Sequence, residues 1–181
     1  MKKIIWTYGL ISGVLVGTML VLSIPLHEQG IIDFNSGMVV GYTTMVIALS
    51  LVFFGIRNYR DTQGGGQVSF GTGVKIGMLI TIVASLLYCV AWEISYHTIA
   101  DDFTARMSEY YLEEKRTSGA SQEELERTRL EMRDFEKMYE NPLIRFGYTL
   151  FEILPVGIVV TLISAGFLSR KKTLQNVPPS A

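Results

Sequence analysis

A chain of 181 residues would suit one soluble domain, but 49% of its residues are hydrophobic and its mean hydropathy is +0.31. These values, together with long runs free of charge, favour an integral membrane protein over a soluble helical bundle with an apolar core. The formal net charge of -1 gives no basic field for nucleic acid. A single cysteine, Cys89, excludes an internal disulfide and a cysteine-cluster zinc site.

Four apolar stretches have the length that a bilayer-spanning helix needs. They cover residues 4–26, 37–56, 73–96 and 143–168. The first follows Lys2 and Lys3, as the apolar core of a secretory signal would, but it is longer than such a core, so an uncleaved span is favoured. We therefore predict an all-helical bundle with four transmembrane helices, whose surroundings are the lipid bilayer.

Glycines recur at every fourth residue along the first three stretches, a spacing that lines one face of a helix with small residues. This pattern predicts close helix packing, either within the bundle or between two copies of the chain. The residues concerned are Gly9, Gly13, Gly17, Gly37, Gly41, Gly73 and Gly77. A further glycine-rich stretch, residues 62–72, has neither the lysine nor the preceding strand of a phosphate-binding loop and is interpreted as a flexible connector.

A densely charged insert, residues 97–141, separates the third stretch from the fourth. Two apolar stripes with three- and four-residue steps predict two helices, and Ser121 with Glu124 forms a capping-box signature between them. Two such stripes should close into an antiparallel hairpin, and Pro142 predicts a break before the last span. The stripes consist of Ile99, Phe103, Met107 and Tyr110, and of Leu125, Met132, Phe135 and Tyr139.

Basic residues outside the insert are concentrated at one end of the predicted spans. They are Lys2, Lys3, Arg57, Arg60, Arg170, Lys171 and Lys172, whereas the short connection of residues 27–36 contains no lysine or arginine. The positive-inside rule then predicts that both termini are cytoplasmic and that the hairpin lies on the opposite side of the membrane. Residues 173–181 are predicted to be a disordered tail.

Two carboxylates, Glu93 and Glu152, fall inside predicted spans, where a charge at the bilayer centre costs about 2.5 to 3.5 kcal/mol. Protonation, Tyr148, Arg145 or a partner on the third helix would offset this cost for Glu152. If the outer halves of the third and fourth helices lie side by side, Glu93 and Glu152 come to similar depth and share a proton. The pair is then a candidate proton or cation relay, or simply a bond that holds the bundle together.

Glu93, His97 and Asp101 are spaced four residues apart, so they share one face of a helix. His97 and Asp101, with His27 on the same side of the membrane, form a candidate metal site, and an interfacial His97 paired to Asp101 is the simpler interpretation. No cofactor is predicted. No serine elbow or other nucleophile arrangement indicates an enzyme.

Several short segments together resemble one known family. They are residues 54–61 (FGIRNYRD), 65–66 (GG), 69–71 (SFG), 75–77 (KIG), 92–93 (WE) and 152–157 (EILPVG). From about residue 4 to residue 172 the chain is similar to small bacterial integral membrane proteins catalogued as a domain of unknown function, number four-one-nine-nine. The resemblance implies four membrane helices with a charged insert before the fourth, and it implies no activity, cofactor or catalytic residue. We expect the protein to lie in the bacterial inner membrane.

These features favour a non-enzymatic membrane protein that acts by assembling with itself or with another membrane protein. The hairpin and the glycine-lined helix faces would make the contacts, so substitutions on the second hairpin stripe are expected to abolish complex formation. The alternative is a proton- or cation-coupled transporter or sensor centred on Glu93 and Glu152.

Overall fold

A computed structural model describes residues 1–32 and 34–170, without the side chains of residues 28, 34 and 35. The predictions for Lys171, Lys172 and the tail of residues 173–181 lie outside the described residues. The described chain is helical and contains no strand, which confirms the predicted all-α class. Its helices are α1 (Lys2–Glu28), α2 (Phe34–Leu49), α3 (Leu51–Thr62), α4 (Phe70–Thr98), α5 (Phe103–Thr117), α6 (Gln122–Tyr139) and α7 (Pro142–Leu168).

Four helical segments are long and apolar enough to cross a membrane, as predicted. They are Lys2–His27, Ser36–Thr62, Phe70–Thr98 and Pro142–Leu168. The spans extend a few residues beyond the apolar runs, because backbone hydrogen bonding continues into polar sequence; the amide of Gln63, for example, donates to the carbonyl of Tyr59 at 2.9 Å. Their length and composition indicate a multi-pass membrane protein.

The second span consists of two helices, α2 and α3, which meet at Ser50. The backbone of Ser50 keeps helical angles, φ -58° and ψ -21°, and its amide donates to the carbonyl of Val46 at 2.9 Å. Its hydroxyl donates to the carbonyl of Ile47 at 2.6 Å. The two helices therefore continue in nearly one direction.

Helix α4 contacts both α1 and α7, with α3 packed beside it. Three clusters of buried apolar residues follow one another along α4. The first contains Ile5, Ile56, Ile76 and Leu168, the second Val16, Leu49, Ala84 and Ile153, and the third Ile24, Trp92, Ala100 and Tyr139. This order places the start of α1, the end of α3 and the end of α7 at one end of the bundle, and Tyr139 at the other.

The glycine face of α1 packs directly on α4. A Cβ atom at Gly9 would lie 2.7 Å from Cβ of Val83, and one at Gly13 would lie 2.6 Å from Cδ1 of Leu87. Real Cβ atoms do not come so close, so glycine is what lets the two helices approach to this distance.

The other predicted packing glycines differ among themselves. Gly17 faces Ala91, Gly73 faces Ala165, Gly77 faces Thr161 and Gly37 faces the ring of His27. Gly41 differs from these, because no other helix of the described chain comes within 4 Å of the place that its Cβ would take. Its packing against a second copy of the chain stays a prediction. Four-residue spacing identifies a smooth helix face, but it does not say whether a neighbouring helix covers that face.

Between the third and fourth spans, α5 and α6 contact each other and are joined by a turn in which Gly119 adopts φ +79°. The capping box at the start of α6 is present: the amide of Glu124 donates to Ser121 Oγ at 3.3 Å, and the amide of Ser121 donates to Glu124 Oε2 at 2.8 Å. Helix α7 begins at Pro142, with Asn141 as its N-cap.

Candidate functional site

Arg145, in the second turn of α7, is the most completely buried charged side chain among the described residues, with 1% of its side-chain surface exposed. Its Nε donates to Oε2 of Glu93 on α4 at 2.8 Å, and its Nη2 donates to the other carboxylate oxygen, Oε1. The planar guanidinium thus forms a two-pronged bond, the geometry that makes an arginine–carboxylate pair strong and directional.

The same guanidinium also contacts the end of α6. Nη1 donates to the backbone carbonyl of Tyr139 at 3.0 Å, and Cζ lies 4.0 Å from the ring centroid of Tyr96. A guanidinium over an aromatic face at this distance makes a favourable cation–π contact. Arg145 therefore joins three helices, α4, α6 and α7, at one point.

Aromatic side chains surround this point. The indole Nε1 of Trp92 donates to Oη of Tyr139 at 2.9 Å, and Phe135 stacks on Tyr139 with ring centroids 5.1 Å apart. Burial raises the pKa of Tyr139 to about 12, although the bond from Trp92 lowers it in part, so the phenol stays neutral at physiological pH. We call Trp92, Glu93, Tyr96, His97, Tyr139 and Arg145 the junction cluster.

His97 lies at the solvent-exposed edge of the junction cluster, with 63% of its side chain exposed. Its Nε2 is 3.1 Å from Nη2 of Arg145 and 3.4 Å from Oε1 of Glu93. Because a guanidinium can only donate, an uncharged His97 ring accepts this bond at Nε2 and carries its hydrogen on Nδ1.

The predicted metal site is not assembled. Among the residues that the structure describes, no group of three or more His, Cys, Asp or Glu side chains is placed to hold a metal ion. The reason is local: α4 ends at Thr98, so Asp101 no longer shares a helix face with His97, and His27, at the end of α1, packs on Gly37 of α2.

Glu152 lies seven residues after Arg145 in α7, about 10 Å further along the helix axis. Its Oε2 is 3.4 Å from the hydroxyl of Tyr88 on α4, a long distance for such a bond, and its side chain is exposed on the surface of the bundle. Glu93 and Glu152 are therefore at different depths, contrary to the predicted approach of the two carboxylates.

The predicted relay residues thus divide into two groups. Glu93 and Arg145 form one pair, while Glu152 contacts Tyr88. The ring of Tyr148 packs edge-on against Phe135, with centroids 5.6 Å apart.

The sequence prediction missed the partners Tyr88, Tyr96 and the carbonyl of Tyr139. A signal for the main pair was present, since Glu93 lies three residues before the end of the third apolar stretch and Arg145 two residues after the start of the fourth. Antiparallel neighbours place such positions at equal depth, where opposite charges pair.

The chain has four helices that can span a membrane, and the Glu93–Arg145 ion pair joins two of them at one end of the bundle. These features indicate a helical, multi-pass membrane protein. The chain belongs to the family described as protein of unknown function (DUF4199), whose model matches residues 7–170, as the resemblance predicted. The match covers the whole junction cluster. No curated protein and no solved structure matches the chain.

Proposed function

We propose that this is a non-enzymatic protein of the bacterial inner membrane that binds a partner through an extramembrane helical hairpin formed by α5 and α6. The supporting observation is the position of Arg145, which bonds the last residue of α6 to the two spans on either side of the insert. A surface held in place by such bonds loses little conformational freedom when a partner binds, which favours affinity.

The charges of α5 and α6 support their location outside the membrane. Exposed acidic and basic residues follow both helices and pair locally, as in Arg129 with Glu126 at 2.7 Å and Arg116 with Glu113 at 3.4 Å. Such a dense set of charges is far too costly to place in hydrocarbon.

The orientation of the protein is part of the proposal. Basic residues cluster at the end of the bundle opposite the junction cluster, where Lys2, Lys3, Arg57, Arg60 and Arg170 lie. By the positive-inside rule this end faces the cytoplasm, and the hairpin then faces outward.

The partner surface is the outer face of α6. The apolar stripe that the sequence suggested as the contact faces inward: Leu125, Met132 and Phe135 are half-buried and Tyr139 is buried. On the opposite face Leu130 is 59% exposed and is flanked by charged residues. Substitutions on the stripe would therefore loosen the hairpin itself, whereas substitutions around Leu130 would remove the contact. The partner is another membrane protein or a second copy of the chain.

Photo-crosslinking in intact cells tests this proposal. A photoreactive amino acid at Leu130 is expected to give a discrete crosslinked species, while the same amino acid at Thr128, two residues away and 8% exposed, gives none. The Leu130 product should also weaken in the Arg145→Met variant, because the hairpin is then no longer held to the spans. Equal products from Leu130 and Thr128, or none from Leu130 in cells that contain the protein in the membrane, would reject the proposal.

A second candidate function is proton- or cation-coupled transport or sensing through Glu152. Its support is a carboxylate deep in α7, together with buried hydroxyls on the neighbouring face of α4. Ser85 Oγ has no hydrogen-bond partner among the described residues, and Thr81 Oγ1 lies 3.3 Å from Oγ1 of Thr161. Glu93 takes no part in this version, since Arg145 already neutralises it.

Proton flux into proteoliposomes, followed with a pH-sensitive dye, separates the two candidates. Under the transport proposal, Glu152→Gln abolishes a flux that the wild-type protein supports, and Glu124→Gln, outside the membrane, leaves the flux unchanged. A wild-type protein without flux, or a flux unaffected by Glu152→Gln, would retire this candidate.

A further inference from the structure

A cavity of about 360 Å³ opens between α1 and α3 at the basic end of the bundle, away from the junction cluster. Helix α1 begins and α3 ends here, so the cavity lies where the apolar spans would give way to the headgroup layer. Most of its wall surface is apolar, and the wall also contains one ammonium group, several hydroxyl and amide groups, and no carboxylate. The lining residues are Lys3, Ile4, Thr7, Tyr8, Asn58, Thr62 and Gln63.

Hydrogen bonds within the wall occupy several of its acceptor atoms. The amide nitrogen of Asn58 donates to Oη of Tyr8 at 3.1 Å, and the hydroxyl of Thr62 lies 3.2 Å from Oδ1 of Asn58 and donates to its backbone carbonyl at 2.7 Å. The side-chain carbonyl of Gln63 accepts a bond from the amino group of Met1. Two oxygens that would otherwise repel an anion, Oη of Tyr8 and the side-chain oxygen of Gln63, thus already accept a hydrogen bond.

Donor hydrogens are left over on the same side chains. Because Oη of Tyr8 accepts from Asn58, its own O–H hydrogen remains available, and no acceptor for it is present among the described residues. The side-chain NH₂ of Gln63 and the ammonium of Lys3 add further donors. A site with surplus donors, one full positive charge and no carboxylate in its lining is suited to binding a phosphate group, whose oxygens accept hydrogen bonds.

The charges around the cavity act in the same direction. The carboxylate of Asp61 contacts two guanidinium groups, Arg60 at 2.7 Å and Arg57 at 3.6 Å, so this trio carries a net positive charge. Basic residues at the cytoplasmic face of a membrane attract anionic phospholipids.

We propose that this cavity binds the phosphate group of an anionic molecule at the membrane surface, with Lys3, Tyr8 and Gln63 as donors. An anionic phospholipid headgroup and a free phosphate ester share this chemistry. The location at the end of two spans favours the headgroup, whose acyl chains would lie along the apolar sides of α1 and α3. This binding goes beyond the proposed hairpin function, and only the leaflet that the cavity faces rests on the proposed orientation.

Native mass spectrometry of the full chain in detergent tests the site, with phosphatidylglycerol, phosphatidylcholine and inorganic phosphate as separate probes. Phosphatidylglycerol is expected to bind in preference to phosphatidylcholine. Lys3→Gln and Tyr8→Phe should each weaken this binding about tenfold, the size expected for the loss of one hydrogen bond to a charged group. Tyr8→Phe keeps the ring that packs beside Gly55 and so preserves the fold.

Lys2→Gln is the matched control, since it removes the same charge one residue away and outside the cavity. Its binding should equal that of the wild type. If inorganic phosphate binds with the same dependence on Lys3 and Tyr8 while the lipid does not, the source is a free phosphate and the site stands. The proposal is overturned if neither probe binds, or if Lys2→Gln weakens binding as much as Lys3→Gln does.

Discussion

A charge as completely buried as that of Arg145 is tolerated only when its donors are matched by acceptors. Here the carboxylate of Glu93, the carbonyl of Tyr139 and the ring of Tyr96 provide them. Burial of an ion pair is costly in itself, but removing one partner is costlier, since the other charge then stays behind without compensation.

Arg145→Met is therefore expected to lower the free energy of unfolding by about 3 to 5 kcal/mol. Arg127→Met, which disturbs a 3.7 Å ion pair whose arginine side chain is 70% exposed, should cost at most about 1 kcal/mol. The double variant Glu93→Gln with Arg145→Met should recover part of the loss, because it leaves no unpaired charge. Thermal unfolding of the full chain in detergent micelles measures all three, and similar melting temperatures for the two arginine variants would contradict the assignment.

At the scale of helices, the glycine face of α1 sets how closely α1 packs on α4. A side chain at Gly13 would meet Cβ of Leu87 at 2.8 Å and Cα of Ala84 at 3.1 Å, atoms that cannot turn away. The α1–α4 contact therefore depends on the absence of a single methyl group.

Gly13→Ala should accordingly destabilise the protein by about 1 to 3 kcal/mol, the usual cost of overpacking. Gly41→Ala is the matched control, because it faces open space and should be neutral or stabilising by up to about 1 kcal/mol. Melting temperatures in one detergent compare the pair, and a larger loss for Gly41→Ala would mean that an unseen neighbour covers α2.

The start of α6 should respond to pH through its capping box. Hydrogen bonds from the amide and the hydroxyl of Ser121 lower the pKa of Glu124, so the stabilisation is complete above the ordinary glutamate pKa and is lost as pH falls through the lowered value. Hydrogen exchange at residues 122–126, relative to the start of α4, should accelerate between neutral pH and about pH 3.

The start of α4 is a suitable reference because Ser69 caps it through a hydroxyl that does not titrate. Glu124→Gln should remove most of the pH response, because a glutamine side chain does not titrate. Ser121→Ala should give faster exchange at neutral pH, since a typical cap contributes about 1 kcal/mol, but it keeps the backbone amide that bonds Glu124 and so retains part of the pH response. An unchanged pH response in Glu124→Gln would show that another group controls the start of α6.

For the whole molecule, the proposed orientation places the tip of the hairpin and the connection between α3 and α4 on opposite sides of the membrane. In a Cys89→Ala background, a membrane-impermeant maleimide added to spheroplasts should label the Glu126→Cys variant and leave Gln67→Cys unlabelled until the membrane is opened. Cys89 is the single cysteine of the chain, so its replacement leaves the introduced cysteine as the one thiol that can react. The opposite labelling pattern would invert the topology and place the phosphate-binding cavity in the outer leaflet.

The sequence alone determined the features that depend on neighbours along the chain. Apolar length predicted the four spans, Ser121 with Glu124 predicted the start of α6, and Asn141 with Pro142 predicted the start of α7. Each of these features follows from local hydrogen bonding or from the transfer of a continuous segment into lipid. None of them requires knowledge of a distant residue.

The tertiary structure alone decided which groups meet. The sequence placed Glu93, Arg145 and Glu152 on the correct helices. Their partners depend on the depth at which α4 and α7 align, which brings Arg145 to Glu93 and Tyr88 to Glu152. It also decided that the face of Gly13 is covered and that of Gly41 is not. A helical pattern defines a direction around its own axis, whereas partners are set by the height and rotation of one helix against another, and these depend on how the whole bundle packs.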